Sequence, residues 1–338
     1  LHMNIRVPNF FYNYKTYIGT VVSGILLWRT IKLSGITWQT LNLSGYSLVL
    51  LLASCIVFIA TVVLQGHRTR LIWVANGKKY RSIHSLPSLV IGNFYNSILP
   101  GNAGEAVRAW HFSKRNTVNF KKSLAAIAVE KFVDAQLFVP IVVGLNFYMP
   151  KNGNNKVVFL LSIVVGAILC ADFFIAAIIL NKTFKHCVWF CMPSLHFKKY
   201  SFRLFGYFKQ QIQLLIQTRL IWWYALLGYV MFLLGVVQYG LIIKASGLPA
   251  IYTDAYSLTT IGCMMVVVGV IPSAPSNLGV VHYGVYNALF NMAIMVGAQP
   301  GSSQLQQFAL AATLVHVSYF IPEIVIGLNY LVKERNYF

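Results

Sequence analysis

Acidic residues are scarce in this chain. Only seven of its 338 residues are Asp or Glu, and charged residues of either sign make up 10% of the sequence. Hydrophobic residues account for 57% and recur in runs along the whole length. Since about a quarter of the residues in a soluble domain are charged, this composition argues against a soluble protein. It predicts an all-α, polytopic integral membrane protein.

The positive charge is large, because 27 Lys and Arg residues bring the net charge to +20. In a soluble protein this excess would indicate nucleic-acid binding, but here the basic residues lie mainly in short loops between apolar runs. Such loops typically face the cytoplasm and its anionic leaflet. We therefore expect anionic lipids to gather around the protein at the inner face, and we expect no nucleic-acid partner. We also expect a multi-pass protein of the cell (inner) membrane with both termini in the cytoplasm.

Motifs for catalysis and metal binding are missing as well. The chain has no Walker loop, no nucleophile elbow and no His-Glu-x-x-His motif, and it has no long polar segment that could form a catalytic domain. Cys187 and Cys191 lie one helical turn apart and could bind a metal, but reduced structural thiols are the simpler interpretation. We expect no enzymatic activity, no cofactor and no metal. Oligomeric state leaves no sign in the sequence.

The apolar runs predict about eight membrane segments. They cover residues 17–33, 46–65, 124–148, 157–180, 221–243, 255–271, 278–296 and 308–332. The loop after the second run contains Arg68 and Arg70 and is expected to be cytoplasmic. We divide the single membrane domain, 1–338, into a first half (1–180), a basic cytoplasmic segment (181–219) and a second half (220–338). From Phe197 to Leu215 aromatic and basic residues alternate at helical spacing, as is typical of an amphipathic helix on the inner leaflet.

We predict that residues 86–110 form a re-entrant helical hairpin. The apolar segment Leu86–Leu99 is well short of the ~20 residues that a spanning helix needs, and basic loops flank it on both sides. We expect the chain to turn at Pro100-Gly101 and to line a cavity there. A second, Pro-rich break lies at 271–282. Broken segments in corresponding positions of two halves are typical of a site between inverted repeats, although the halves could also be unrelated.

The stretch from Asn93 to Asp134 carries three of the seven acidic residues, and charges between membrane segments are functional by default. Asn102 and Glu105 have the spacing of a capping box, which is a purely structural interpretation. Alternatively, a helix that begins inside a cavity directs the N–H groups of Gly101 to Gly104 at an anion such as a lipid phosphate. Arg108, one turn later, would add a multidentate donor for the same phosphate.

The next predicted helix also carries a group of charged residues. Glu130 and Asp134 are four residues apart and share a helix face, with Lys131 beside them. Packed against the hairpin, this face would hold Arg108 in a charge network. The network could be purely architectural, but apolar replacements of such networks are often at least as stable, so we favour a binding role. In that role the acids balance Arg108 or contact an amino headgroup.

Further polar candidates lie in the second half. Asn277 and His282 fall in the second break, while His316 and Glu323 lie in the last apolar run. Isolated residues of this kind are more often hydrogen-bonded packing residues than functional ones. The alternative is that a histidine, which titrates near neutral pH, couples proton binding to movement. We include Asn277 and His282 among the candidate substrate contacts.

Two motifs resemble the lysylphosphatidylglycerol synthase transmembrane-region family, which is often described as flippase-like. The first consists of Leu99, Pro100, Gly101, Gly104, Glu105 and Arg108, followed by Glu130, Lys131 and Asp134. The second is similar to the family's Pro-x-x-Pro-Gly-Gly-x-Gly-x-x-Glu element at Pro272, Pro275 and Gly279. There, Ser276 and Asn277 replace the paired glycines, and His282 replaces the glutamate.

The resemblance implies a lipid flippase or scramblase without the family's soluble aminoacyl-transferase domain. The cargo would be an anionic or aminoacylated phospholipid, or a polyprenyl-phosphate carrier. A non-transporting scaffold in a lipid or glycan synthesis complex is one alternative, and a membrane-embedded enzyme acting on lipid phosphates is another. If the protein is a flippase, we expect Arg108→Ala to abolish lipid movement and to leave the fold intact.

Overall fold

The regular structure of the described residues is helical. The computed structural model describes residues 9–35, 45–148, 156–180, 195–271 and 273–337. Within them the chain forms α-helices and three short 3₁₀ turns and no strand, which confirms the all-α prediction. The α-helices are, in chain order, α1 (Asn9–Ser34), α2 (Gly45–Ala75), α3 (Ser82–Ile98), α4 (Gly104–Arg115), α5 (Phe120–Tyr148), α6 (Lys156–Leu180), α7 (Leu195–Gln217), α8 (Leu220–Ala245), α9 (Ala255–Val270), α10 (Val280–Met295) and α11 (Ser302–Lys333).

Among the described residues, three helices are long and apolar enough to cross a membrane. They are α2 from Ser47 to Ala75, the whole of α8, and α11. Shorter apolar stretches run from Val157 to Ala171 and from Ala255 to Gly269. Many large apolar side chains of α2 and α8 point outward, as expected where lipid surrounds a helix. The chain is therefore a multi-pass membrane protein, and the total of about eight segments stays a prediction.

Helix α2 continues to Ala75, past the predicted end at Gln65. The prediction that Arg68 lies in a loop was wrong, because Arg68 is on this helix and is only 2% exposed. The cytoplasmic position of this end of the helix stays a prediction. Helix α2 packs along α8, where Gly228 leaves room for the guanidinium. A Cβ at Gly228 would lie 2.9 Å from Arg68 Nη1. Polar residues alone therefore do not mark the end of an apolar helix when a neighbouring helix covers them.

Helices α3 and α4 form the predicted helical hairpin. They pack against each other and are joined by the hairpin turn, Leu99–Ala103. Gly101 in this turn has a φ of +68°, a conformation that glycine adopts without strain. The two legs approach closely at Gly92 and Gly104, where a Cβ on Gly104 would collide with the carbonyl oxygen of Gly92. The absence of side chains at Gly92 and Gly104 therefore allows the two helices to pack closely. That the hairpin re-enters the membrane stays a prediction.

The predicted second break separates α9 from α10. A 3₁₀ turn, Pro275–Asn277, lies between these helices, and Ser276 has a φ of +58°. Gly279 has a φ of +82°, and a Cβ there would collide with the carbonyl oxygen of Ser23 on α1. The break is shorter than the predicted 271–282, because α10 begins at Val280 and includes His282. From here on, the second break means residues 271–279, of which Pro272 lies outside the described residues. Whether the two halves are inverted repeats stays open.

Helix α7 is amphipathic, as the pattern from Phe197 to Leu215 predicted. Its buried residues Gln211 and Leu215 face the protein, and Gln211 donates a hydrogen bond to the carbonyl of Lys122 at 2.9 Å. Arg203 and Lys209 are exposed on the other side. The first part of the predicted basic segment, residues 181–194 with Cys187 and Cys191, lies outside the described residues.

Candidate functional site

Arg108 and Glu130 form the centre of the candidate site. Arg108 on α4 is 4% exposed and Glu130 on α5 is fully buried. The guanidinium holds both carboxylate oxygens, with Nη2 at 2.7 Å from Oε2 and Nη1 at 3.1 Å from Oε1. From α2, Thr69 accepts a hydrogen bond from Arg108 at 3.0 Å, and Gln65 donates one to Glu130 at 2.9 Å. This bidentate pair, with its further hydrogen bonds to Thr69 and Gln65, joins three helices.

The network opens to the surface through Glu105 and Lys131. Glu105 Oε2 lies 3.4 Å from Arg108 Nη1, and Glu105 Oε1 lies 2.9 Å from Lys131 Nζ. The Lys131 side chain is 56% exposed. The neighbouring exposed residues, Ala106 and Ala128, are small. Lys131 is therefore the cation of this network that an incoming anion can reach first.

Asp134 pairs with Arg68, a residue that was not among the predicted site residues. Its carboxylate lies 2.6 Å from Arg68 Nη1 on α2, so the prediction that Asp134 belongs to the partners of Arg108 was wrong. The Arg68 guanidinium also lies over the ring of Tyr224 on α8, at 4.7 Å from the ring centroid. One helical turn separates Glu130 from Asp134. Helix α2 contacts both acids, since Thr69 and Gln65 donate hydrogen bonds to Glu130 and Arg68 forms the ion pair with Asp134.

The charges of this site balance. We use the name charge cluster for six residues, of which three are cations and three are acids: Arg68, Arg108, Lys131, Glu105, Glu130 and Asp134. Sequence reasoning missed Gln65, Arg68, Thr69 and Tyr224. The first three occur at i, i+3 and i+4 and continue the helical spacing of α2, a signal that could have placed them on one helix face.

A small cavity lies beside Arg108. Its volume is about 10 Å³, and Thr69, Ser85, Ser88 and Ser123 supply hydroxyl groups to its wall. This is roughly the space that one water molecule needs, so a lipid phosphate does not fit. For Arg108 to contact a phosphate, as the sequence led us to expect, its pair with Glu130 has to open.

The capping-box interpretation of Asn102 and Glu105 was wrong. The N-cap of α4 is Ala103, and Asn102 has a φ of +58°. The Asn102 side chain instead donates a hydrogen bond to the carbonyl of Gly269 at 3.0 Å. The Glu105 carboxylate turns to Lys131, because that contact supplies a charged partner.

The start of α4 is more crowded than the sequence led us to expect. Gly104 is buried against Gly92 and Asn96 of α3, so its missing side chain serves helix packing and does not widen an approach for an anion. The N–H of Gly101 donates to the carbonyl of Ser273 at 3.2 Å. This contact joins the hairpin turn directly to the second break, and the Asn102 bond joins it to the last turn of α9 just before the break.

Asn277 and His282 lie on the other side of that contact. Asn277 Oδ1 accepts a hydrogen bond from Ser273 at 2.5 Å, and the buried His282 ring lies 5.1 Å from the His316 ring. Within the described residues, no hydrogen bond or ion pair joins either residue to the charge cluster. The candidate residues therefore form two groups, which meet where the hairpin turn touches the second break.

Comparison with known proteins gives the family of the chain. No curated protein and no solved structure matches the chain. The family model described as "Lysylphosphatidylglycerol synthase TM region" matches residues 17–327. This range includes the hairpin, the charge cluster and the second break. The chain therefore belongs to the lysylphosphatidylglycerol synthase transmembrane-region family, a family of membrane domains linked to lipid handling.

Proposed function

We propose that the protein is a flippase or scramblase that moves an anionic or aminoacylated phospholipid, or a polyprenyl-phosphate carrier, between leaflets without altering it chemically. The observation that carries this proposal is the exposed Lys131–Glu105 pair at the edge of a buried, charge-balanced cluster. Charges in an apolar bundle are expensive and are typically kept for a transported polar group. Family membership supports the lipid as cargo.

Binding begins by exchange of partners at Lys131. The phosphate of the headgroup accepts hydrogen bonds from Lys131 Nζ, which releases the Glu105 carboxylate. An amino group on the headgroup can then form an ion pair with Glu105 or Asp134, whose side chains are 21% and 38% exposed. With an aminoacylated headgroup, each new contact replaces one ion pair by another, so no charge is left unpaired. With a purely anionic headgroup, the released Glu105 carboxylate keeps Arg108 as its partner, at 3.4 Å.

Movement across the bilayer requires the hairpin to separate from the second break. The two hydrogen bonds from the hairpin turn to Gly269 and Ser273 close this route in the present conformation. Each is of the kind that contributes roughly 1 kcal/mol, so the closed contact is weak enough to open repeatedly. The acyl chains stay in the bilayer, beside the outward-facing apolar side chains.

Leaflet exchange in proteoliposomes tests the proposal. Head-labelled anionic and zwitterionic lipids are compared for the wild type, Lys131→Gln and the matched control Lys114→Gln, which removes an exposed lysine of α4. We expect exchange selective for the anionic headgroup, a loss in Lys131→Gln and no loss in the control. Absence of exchange in the wild type across specialised carriers as well would contradict the proposal. Released phosphate or headgroup would instead identify an enzyme.

A further inference from the structure

One face of α11 contacts both turns. His316 Nε2 lies 3.1 Å from the carbonyl oxygen of Ser276 and 3.2 Å from its hydroxyl oxygen. One turn later, Tyr319 donates its hydroxyl proton to the same Ser276 carbonyl at 2.9 Å. These bonds satisfy the carbonyl of a buried residue in the left-handed backbone conformation, and they fix the second break to α11.

The next polar residue on this face holds the hairpin. Glu323 Oε2 accepts a hydrogen bond from Ser97 Oγ at 2.5 Å, in the last turn of α3 and directly before the hairpin turn. Ser97 is buried and Glu323 is half-buried. Helix α11 therefore bridges the two broken segments, with the second break bound at His316 and the hairpin bound at Glu323.

Glu323 has no ion-pair partner in the part of the chain that the structure describes. The titratable group nearest to it on its own helix is Tyr319, which has Tyr239 of α8 as a neighbour. On the α3 side, Glu323 faces the neutral Ser97. On the α2 side, the uncharged ring of Phe58 packs against Tyr319.

The charged and titratable groups on the remaining sides are engaged elsewhere. His282 of α10 contacts His316, and Arg29 of α1 lies over the ring of Tyr283, at 5.7 Å from its centroid. The cations of the charge cluster have carboxylate partners of their own. A charged Glu323 therefore depends on the Ser97 hydroxyl alone.

We propose that Glu323 is the binding site of a coupling proton. When the hairpin moves away from α11 to admit a headgroup, the carboxylate loses the hydrogen bond from Ser97 and has no cation beside it. Since a charge without a partner is costly inside the membrane, a proton from the water that enters with the headgroup neutralises it. Closure of the hairpin restores the Ser97 bond and releases the proton, and release to the opposite side from uptake couples transport to the gradient. The charged form thus holds the hairpin closed and the protonated form releases it. This inference rests on the proposed function and adds its energy source, a proton gradient.

Lipid exchange under an imposed pH gradient tests the coupling. Wild type, Glu323→Gln and the matched control Asp254→Asn, which alters an exposed acid at the start of α9, are reconstituted with a head-labelled anionic lipid. We expect the gradient to accelerate exchange several-fold in the wild type and the control, and a protonophore to remove the effect. Glu323→Gln, a mimic of the protonated form, should exchange lipid at a rate independent of the gradient. If the wild type exchanges lipid without any response to the gradient, the proposed coupling is wrong and the lipid-transport proposal stands.

A second measurement does not depend on lipid transport. Infrared difference spectra of the reconstituted protein between acidic and neutral pH report carboxyl groups that take up a proton. We expect a carboxyl band in the wild type and in Asp254→Asn that is missing in Glu323→Gln. If all three spectra agree, Glu323 does not bind a proton and the inference is overturned. If the band is present while no lipid moves, the proton site stands and the transport proposal fails.

Discussion

Arg108 and Glu130 hold each other with two hydrogen bonds, at 2.7 and 3.1 Å, and both are almost completely buried. This changes the outcome expected for Arg108→Ala. The substitution leaves the Glu130 carboxylate buried without its cation, which typically costs about 3–5 kcal/mol. We therefore predict a clear loss of thermal stability in detergent, in contrast to the intact fold expected from the sequence.

A double variant is the control. Replacing both members by apolar residues, Arg108→Met with Glu130→Leu, removes the charge and its partner together, and such replacements are often neutral or stabilising. We expect the double variant to recover much of the stability that Arg108→Ala loses. Equal melting temperatures for Arg108→Ala and the wild type would refute the structural role of the pair.

The pair between Arg68 and Asp134 predicts a smaller effect. Asp134→Asn leaves the buried Arg68 uncompensated except for the Tyr224 ring, but Asp134 is partly exposed, so solvent screens the loss. We expect a destabilisation of about 1–2 kcal/mol. Asp254→Asn should cost almost nothing, because asparagine caps a helix as well as aspartate does. Denaturant unfolding of both variants measures the difference, and equal values would argue against the pair.

Close packing of the hairpin legs predicts that Gly104 does not tolerate a side chain. In Gly104→Ala the new Cβ would collide with the backbone of Gly92, and overpacking of this kind costs about 1–3 kcal/mol. Gly206 on α7 is the matched control, because a Cβ there meets nothing within 4 Å. Gly206→Ala should be neutral or stabilising by up to about 1 kcal/mol. Melting temperatures compare the two, and a stable Gly104→Ala would contradict the close approach.

The bond from Asn102 to Gly269 predicts a variant with faster transport. Asn102→Gly keeps the left-handed backbone of the hairpin turn free of strain but removes the side-chain hydrogen bond. A bond worth about 1 kcal/mol corresponds to a roughly five-fold faster opening, so we expect leaflet exchange to rise by up to this factor. Thr253→Gly, which alters a turn residue whose hydroxyl bonds only locally, should leave the rate unchanged. A slower Asn102→Gly would show that this contact does not limit transport.

Local patterns predicted much of the fold. The hairpin followed from a short apolar segment between two basic loops and its Pro100-Gly101 turn, and the second break followed from its prolines, because both signals lie close together in sequence. The association of Arg108 with Glu130 followed from the expense of charge in an apolar chain. The partners of Asp134 and Glu323 did not follow, since Arg68 and Ser97 reach them only through helix packing between distant segments.

The balance of the charge cluster determines how the membrane potential acts on the protein. Within the cluster, α4 carries Glu105 and Arg108, whose charges cancel. Moving one elementary charge across the membrane is worth about 2.3 kcal/mol per 100 mV, but displacement of this pair with the hairpin moves no net charge. Displacement of these cluster residues therefore contributes no current of its own. A current measured during transport would report the charge of the headgroup, of a proton carried on Glu323, or of Lys114 and Arg115 in the last turn of α4, and not that of the cluster.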